Sequence, residues 1–115
     1  MNIIRHEPGA ILSSAVEYGN LVFVAGTVAD DTTQDAEGQA RQILAQIDAL
    51  LAKAGTSKSR ILMANIWVTD IRNRDGVNKA WLEWVDPANT PARATVEAKL
   101  AGPDMLVEIS CIAGK

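Results

Sequence analysis

The sequence predicts an α+β fold in which two helices cover one face of a mixed sheet, with the element order β-ββ-α-β-α-ββ. Two segments carry apolar residues at the three- and four-residue spacing of amphipathic helices, and the segments around them alternate or run apolar as strands do. The 115 residues contain no linker, repeat or low-complexity segment, so residues 1–115 are expected to form one domain.

Composition and charge argue against several classes of protein. The net charge of −3 disfavours nucleic acid as a main partner, because binding to phosphates needs clustered Lys and Arg. There is no run of about 18 apolar residues, so we expect no membrane-spanning segment, and residues 1–8 lack the apolar stretch of a signal peptide. The single cysteine, Cys111, excludes an internal disulfide and is expected to be a buried, inert thiol in a cytoplasmic protein.

Three strands are predicted before the first helix. Residues 3–5 form a short strand, and residues 13–16 and 21–25 form a hairpin around the turn signal Tyr18-Gly19-Asn20. The run at residues 21–25 is continuously apolar and β-branched, which predicts a strand that is buried on both faces and ends at Gly26.

Both helices are predicted from apolar stripes bounded by capping residues. Residues 30–35 precede the first helix, Gly55 caps its carboxyl end, and its stripe consists of Ala36, Ala40, Ile43, Leu44, Ile47, Leu50, Leu51 and Ala54. Residues 70–75 supply caps for the second helix, Pro87 follows its end, and its stripe consists of Val77, Ala80, Trp81 and Trp84.

Between the helices, residues 60–68 form a strand that is apolar on both faces. One face carries Leu62, Ala64, Ile66 and Val68, and the other carries Ile61, Met63, Asn65 and Trp67. Two helices can cover only one face of the sheet, so we expect the other to be buried against copies of the same chain. The alternative is a monomer whose core stacks its tryptophans.

Two alternating runs at the carboxyl end, residues 90–100 and 107–113, flank a Gly-Pro turn signal and predict a second hairpin. In the register set by a short loop, Thr95 lies opposite Ser110 and Arg93 lies diagonal to Ser110. The same register opposes two glutamates, Glu97 and Glu108, which is unfavourable unless a basic group compensates. This face therefore resembles the wall of a site or an interface.

Arg93 is the candidate ligand-binding residue of this hairpin. The alternation predicts that Ala92, Ala94 and Val96 face the core and that Arg93 and Thr95 lie on the opposite face. A guanidinium held by a strand suits a carboxylate or phosphate, which it binds through two parallel hydrogen bonds. The alternative is a solvated arginine on a strand surface.

Several kinds of catalytic site are missing from the sequence. His6 is the only histidine, no set of His, Cys and Glu has metal-ligand spacing, and no glycine-rich phosphate motif is present. We therefore expect no metal or cofactor. Catalysis would use arginine, carboxylates, hydroxyls, backbone groups and bound water.

The motif Pro91-Ala92-Arg93-Ala94-Thr95-Val96-Glu97, followed by Val107-Glu108-Ile109, resembles the signature of the RidA/YjgF family. The strand Gly19-Asn20-Leu21-Val22-Phe23-Val24-Ala25-Gly26 and the helical segments at residues 45–51 and 77–81 extend the similarity over nearly the whole chain. The short length, Ser57-Lys58-Ser59 and Asn78-Lys79-Ala80-Trp81 are most similar to the YoaB-like members.

The resemblance implies a chorismate-mutase-like α+β subunit in a homotrimer, with the sheets forming an inner barrel. Family members bind small carboxylates, such as keto acids or imino acids, in three clefts between subunits. RidA proper hydrolyses reactive enamines and imines, such as 2-aminoacrylate, to keto acids and ammonia. Older labels of the family include endoribonuclease and translation inhibitor.

The resemblance also implies roles for individual residues. Arg93 matches the family arginine that grips the carboxylate, Asn78 matches the helix asparagine, and Gly26 matches the glycine that ends the cleft strand. These three positions, with Thr95 and Leu12, are the implied substrate-binding residues.

This chain departs from the family pattern at four cleft positions. Leu12 stands where RidA has a tyrosine, Ala25 replaces a serine, and Thr95 stands where a cysteine is common. Ser110 occupies the position of the acidic residue that activates or orients water. Carboxylate binding is expected to survive these changes better than deamination does.

Three functions follow as hypotheses. In an enamine/imine deaminase, Arg93 would fix the carboxylate while backbone groups and Ser110 position water. Glu97 or Glu108 could replace the missing acid, although structural pairing is their commoner role. A trimer that binds a metabolite without turnover is the alternative. A ribonuclease is least supported, because the pI is about 5.0 and the single histidine, His6, lies near a terminus and leaves none for acid–base chemistry at a phosphodiester.

Overall fold

Six strands and two helices follow one another along the chain. In the computed structural model, which describes residues 1–115, the elements are β1 (Ile3–Pro8), β2 (Ser13–Tyr18), β3 (Leu21–Thr27), α1 (Ala36–Lys53), β4 (Ile61–Val68), α2 (Arg74–Trp84), β5 (Ala92–Glu97) and β6 (Val107–Gly114). All six strands form one sheet in the order β1-β2-β3-β6-β4-β5, in which only β4 and β5 run parallel. The predicted α+β fold is confirmed.

Local signals in the sequence define both ends of α1. The Asp35 carboxylate accepts a hydrogen bond from the Gly38 amide at 2.8 Å and caps the amino end. At the carboxyl end, Gly55 has φ near 78°, a left-handed conformation that lets the Thr56 amide donate to the Leu51 carbonyl at 2.9 Å. The helix therefore begins and ends where the capping pattern predicts.

The core lies between the two helices and one face of the sheet. Its largest fully buried side chains include Ile43, Ile47, Leu51, Ile66 and Ile109. Cys111 lies in the same layer, and burial raises the pKa of its thiol to about 12. The prediction of a buried thiol is confirmed.

The other face of the sheet, called the open face here, has no helix over it. Its apolar side chains form rows across neighbouring strands and include Leu21, Phe23, Met63, Trp67, Val96 and Ile112. Phe23 in β3 is 39% exposed, so the prediction that this strand is buried on both faces is wrong for the single chain. Successive apolar residues of β3 point alternately into the core and onto the open face.

A bulge in β4 changes two of the predicted faces of that strand. The register against β6 shifts between Ile61 and Met63, so Ile61 is buried in the core and Leu62 points away from it. From Met63 onward the predicted alternation holds, with Ala64 in the core and Trp67 on the open face. The strand is apolar on both faces, and the helices cover only one of them.

The predicted hairpin between the last two strands is wrong. β5 pairs in parallel with β4, which places Arg93 beside Ala64, and β6 pairs with β4 from the other side, which places Ser110 beside Asn65. The strand β4 therefore separates β5 from β6. The unit β4–α2–β5 is a crossover that returns β5 parallel to β4, and the loop at residues 98–106 then passes β4 to reach β6.

The two faces of β5 are the reverse of those predicted. Arg93 and Thr95 lie in the rows of core residues and face the helix layer, whereas Ala92, Ala94 and Val96 are exposed on the open face. The apolar side of β5 continues the open face because that face is itself apolar. Alternation in the sequence identifies two faces but not which one the helices cover.

A buried polar cluster joins the first hairpin to the carboxyl end of the chain. The Glu17 carboxylate is buried in β2 and is hydrogen-bonded to Lys115 Nζ and to His6 Nε2. These two partners, Lys115 first, hold the pKa of Glu17 below its usual range. The only histidine of the chain is therefore engaged in a structural contact.

We expect Glu17→Gln to reduce the acid sensitivity of the fold. Because the folded-state pKa is lowered, ionised Glu17 stabilises the protein above its unfolded pKa of about 4.3. This contribution is lost as the pH falls through the lower folded value. Urea unfolding midpoints, measured from about pH 6 to about pH 3, should therefore fall more steeply for the wild type than for E17Q. Equal slopes would show that other carboxylates set the acid response.

Candidate functional site

Arg93 lies at the edge of the sheet, beneath α2. Its Nη2 donates a hydrogen bond to Asn78 Oδ1 at 2.7 Å, and its guanidinium lies 5.1 Å from the centroid of the Trp81 ring. Asn78 and Trp81 are three residues apart on α2 and so point to the same side of the helix. The structure thus brings together two predicted site residues and adds Trp81 as a third member.

The guanidinium of Arg93 has no negatively charged partner in the chain. Its Nη1 is buried without a hydrogen-bond partner, and the Thr95 hydroxyl, on the same side of β5, is buried without one as well. Burial, and to a smaller extent the charge of Arg74, lowers the pKa of Arg93. Buried polar groups are almost always satisfied in folded proteins, so these two unpaired groups make Arg93 and Thr95 candidate ligand contacts. Arg93, Asn78, Thr95 and Trp81 are called the arginine group below.

A β-bulge positions a second group of residues. The register between β3 and β6 shifts between Val24 and Thr27, so Ala25 and Gly26 together face the single residue Ser110. A bulge locally interrupts the ladder of hydrogen bonds, and bulges are frequent beside binding sites. The backbone around Gly26 is therefore a candidate ligand contact, and Ser110 lies across from it.

A cavity of about 360 Å³ opens beside this bulge, between α1, β3 and the connection from β1 to β2. Leu12 and Gly26 both line it, together with Glu7, Ala25 and Gln46 among others. A cavity of this size can hold a small metabolite. The structure thus brings Leu12 and Gly26 to one cavity and places Ser110 across the bulge from Gly26. These three residues are called the bulge group below.

The arginine group and the bulge group do not meet within one chain. Arg93 lies on the helix side of the sheet and Ser110 lies on the open face, with β4 between their strands. Neighbouring strands are about 4.8 Å apart, so the two backbones are separated by about 10 Å. The predicted contact between Arg93 and Ser110 is wrong, and the error follows from the hairpin register.

The two glutamates considered as replacement acids have different surroundings. Glu97 accepts a hydrogen bond from the Ile71 amide at 3.0 Å and thereby supports the turn before α2. Glu108 lies against Gly26, where an added Cβ would be 2.2 Å from its Oε2. Because β4 separates the two strands, the glutamates do not face each other, and the predicted opposition of like charges is wrong.

The structure also limits the chemistry available at these groups. No three side chains of His, Cys, Asp or Glu cluster closely enough to hold a metal ion. Neither helix is long and apolar enough to cross a membrane. The polar groups near them are a guanidinium, carboxylates, hydroxyls and backbone amides and carbonyls, which can bind a small polar molecule through hydrogen bonds.

The fold is that of the small α+β proteins of the YjgF class. The sequence profile described as endoribonuclease L-PSP matches residues 4–115. A RutC family protein from Haemophilus influenzae is 47% identical over 114 residues, and the RutC family protein YoaB from Escherichia coli is 40% identical over 113, each match covering 98% of both chains. A crystal structure of a YjgF family member from Neisseria meningitidis has a TM-score of 0.95 at 37% identity, covering 100% of this chain and 96% of that one. The chain belongs to the RidA/YjgF family.

Proposed function

We propose that the protein is a cytoplasmic homotrimer that binds small carboxylate metabolites in clefts between its subunits. In those clefts it hydrolyses reactive enamines and imines of the 2-aminoacrylate type to keto acids and ammonia. The observation that carries the proposal is the half-buried guanidinium of Arg93, which has a buried Nη1 without a partner and no carboxylate beside it.

The arginine group supports a carboxylate as the ligand. Asn78 occupies Nη2 and the ring of Trp81 flanks the guanidinium, so Nη1 remains to donate to a ligand oxygen. The Thr95 hydroxyl lies two residues farther along β5 and can donate to a second oxygen of the same ligand. A charge-assisted hydrogen bond to a carboxylate is about twice as strong as one between neutral groups.

The placement of the two groups supports an assembly that completes the site. The arginine group lies at the β5 edge, and the bulge group lies near β3 across the sheet. Within one chain they are apart, so a cleft that uses both needs a second copy. The apolar open face offers the surface for such contacts, since large exposed apolar patches mark interfaces.

A non-catalytic metabolite-binding trimer is the second candidate function. Two residues favour it. Leu12, which has no acid–base chemistry, stands where RidA has a tyrosine, and Ser110, which has only a weakly acidic hydroxyl, stands where RidA has an acid. An endoribonuclease activity, as in the name of the family profile, has the least support. The net charge is −3, and His6 is bound to Glu17.

The functions are separated by measuring turnover and binding on the same preparation. We expect the wild type to release pyruvate from 2-aminoacrylate, generated in the cuvette and followed with a coupled dehydrogenase, faster than the uncatalysed rate. We also expect 2-ketobutyrate to bind in calorimetric titration. Binding without turnover would select the metabolite-binding trimer. If the protein shows no binding and no turnover, both functions are ruled out.

A further inference from the structure

The charge of Arg93 is stabilised by neutral groups. Arg41 and Arg72 pair with carboxylates at the surface, whereas the half-buried Arg93 takes part in none of the ion pairs of the chain. Its neighbours are the amide oxygen of Asn78, 2.7 Å from Nη2, and the ring of Trp81, whose centroid lies 5.1 Å from Cζ. A charge that is partly withdrawn from water is costly unless other groups stabilise it, and here those groups are a dipole and an aromatic ring rather than an anion.

The ring of Trp81 is held in place by the core. Trp81 is 7% exposed, and it belongs to the buried stripe of α2 together with Val77 and Ala80. The ring of Trp84 packs against it, with the two centroids 5.5 Å apart and the planes at 53°. The face of an aromatic ring carries negative charge, and among the aromatic side chains that of tryptophan attracts cations most strongly. Trp81 therefore presents a fixed, uncharged surface that stabilises the guanidinium.

The charge nearest in effect to Arg93 is another cation. Arg74 begins α2 four residues before Asn78, so the two side chains lie on the same side of the helix. Arg74 forms no ion pair, and after burial its charge is the second cause of the lowered pKa of Arg93. An anionic ligand relieves this repulsion, and the ring of Trp81 offsets part of it before the ligand binds.

A neutral partner leaves a guanidinium available to a ligand, and a carboxylate partner does not. A carboxylate of the chain would occupy two N–H groups of Arg93 and would compete with the carboxylate of a ligand. An aromatic ring interacts with the delocalised charge instead, so Nη1 keeps its donors. We propose that Trp81 is a positioning residue that replaces the counter-ion of Arg93 and thereby keeps its charge for the ligand. This inference rests on the proposed binding of carboxylates at Arg93.

The first test weakens the attraction of the ring at nearly constant shape. Tetrafluorotryptophan, incorporated in place of Trp81 in the full-length protein, has almost the size of tryptophan but much less negative charge on its face. We expect the affinity for 2-ketobutyrate in calorimetric titration to fall about 3- to 30-fold, which is the range of a cation–π contact. The same replacement of Trp84, whose ring lies under Lys58 and not under Arg93, should leave the affinity within about twofold.

A second test supplies the counter-ion that Trp81 replaces. Asn78→Asp keeps an acceptor oxygen beside Nη2 but adds a negative charge. We expect N78D to raise the urea midpoint of unfolding at neutral pH, because the charge of Arg93 is then paired, and to weaken 2-ketobutyrate binding by more than about tenfold. Asn20→Asp, in the turn between β2 and β3, makes the same change in net charge and should leave binding within about twofold. If N78D binds 2-ketobutyrate as tightly as the wild type, the need for a neutral partner is overturned.

The remaining outcomes distinguish this inference from the proposed function. If R93A loses the binding of 2-ketobutyrate but the protein with the fluorinated ring at position 81 binds like the wild type, the role of Trp81 is overturned and the carboxylate site stands. If the fluorinated rings at positions 81 and 84 lower the affinity equally, the two rings act through packing, and the role of Trp81 is again overturned. If the wild type does not bind 2-ketobutyrate, the carboxylate site and the role of Trp81 are both overturned.

Discussion

Replacing Arg93 with alanine should weaken the binding of 2-ketobutyrate by well over tenfold. The guanidinium is the only cation of the arginine group, and its Nη1 makes no hydrogen bond within the chain. Removing one partner of a buried, hydrogen-bonded charge pair costs about 2–5 kcal/mol, because the carboxylate of the ligand is left uncompensated. Calorimetric titration of the wild type and of R93A measures this loss directly.

Two further variants test whether the loss of binding is specific to the Arg93 guanidinium, which can donate two parallel hydrogen bonds. Arg93→Lys should recover little of the affinity, because an ammonium group cannot replace two parallel hydrogen bonds and cannot keep the same contact with Asn78. Arg72→Ala is the matched control, since Arg72 is exposed and paired with Asp70, and its removal should leave binding within about twofold. Equal binding by R93A and the wild type would place the ligand elsewhere.

Much of the fold could be predicted because its signals are local. The stripe of α1, the cap at Asp35 and the left-handed Gly55 act over a few residues, and each can be recognised without knowledge of the rest of the chain. For a similar reason, the sequence alone could match Arg93, Asn78 and Gly26 to site positions of the family, because the resemblance is carried by short motifs.

The arrangement of the site could not be predicted, because it depends on which strands are neighbours. A Gly-containing loop between two alternating runs fits a hairpin, yet the crossover β4–α2–β5 places β4 between them. This single difference moves Ser110 away from Arg93 and turns Arg93 toward Trp81. The alternation of the two runs fits either arrangement, so it does not decide between them.

The sequence also could not distinguish burial in the core from burial between subunits. Ala92, Ala94 and Val96 have the alternation of a core-facing strand, but they lie on the open face, and the polar side of β5 faces the helices. Both environments select apolar side chains, so the pattern is the same in each. The side of the sheet on which the helices pack determines the assignment, and that side is set by long-range contacts.

Replacing Ile112 with lysine should convert the proposed trimer to a monomer. Ile112 lies on the central strand β6 in one row of the open face, between Phe23 of β3 and Met63 of β4. Burying a lysine there without a partner carries a desolvation penalty of several kcal/mol. In the single chain the new side chain can reach solvent, so the fold should be retained. Light scattering should change from about three times the chain mass of 12.3 kDa to the chain mass itself.

Leu82→Lys makes the same chemical change on the opposite side of the molecule. Leu82 is 74% exposed on α2, far from the open face, so this variant should remain a trimer and should bind 2-ketobutyrate as the wild type does. In I112K the binding should be lost together with the assembly, because the arginine group and the bulge group then belong to separate molecules. A wild type that is already monomeric at micromolar concentration would contradict the assembly, and an I112K protein that stays trimeric would show that the subunits meet at a surface other than the open face.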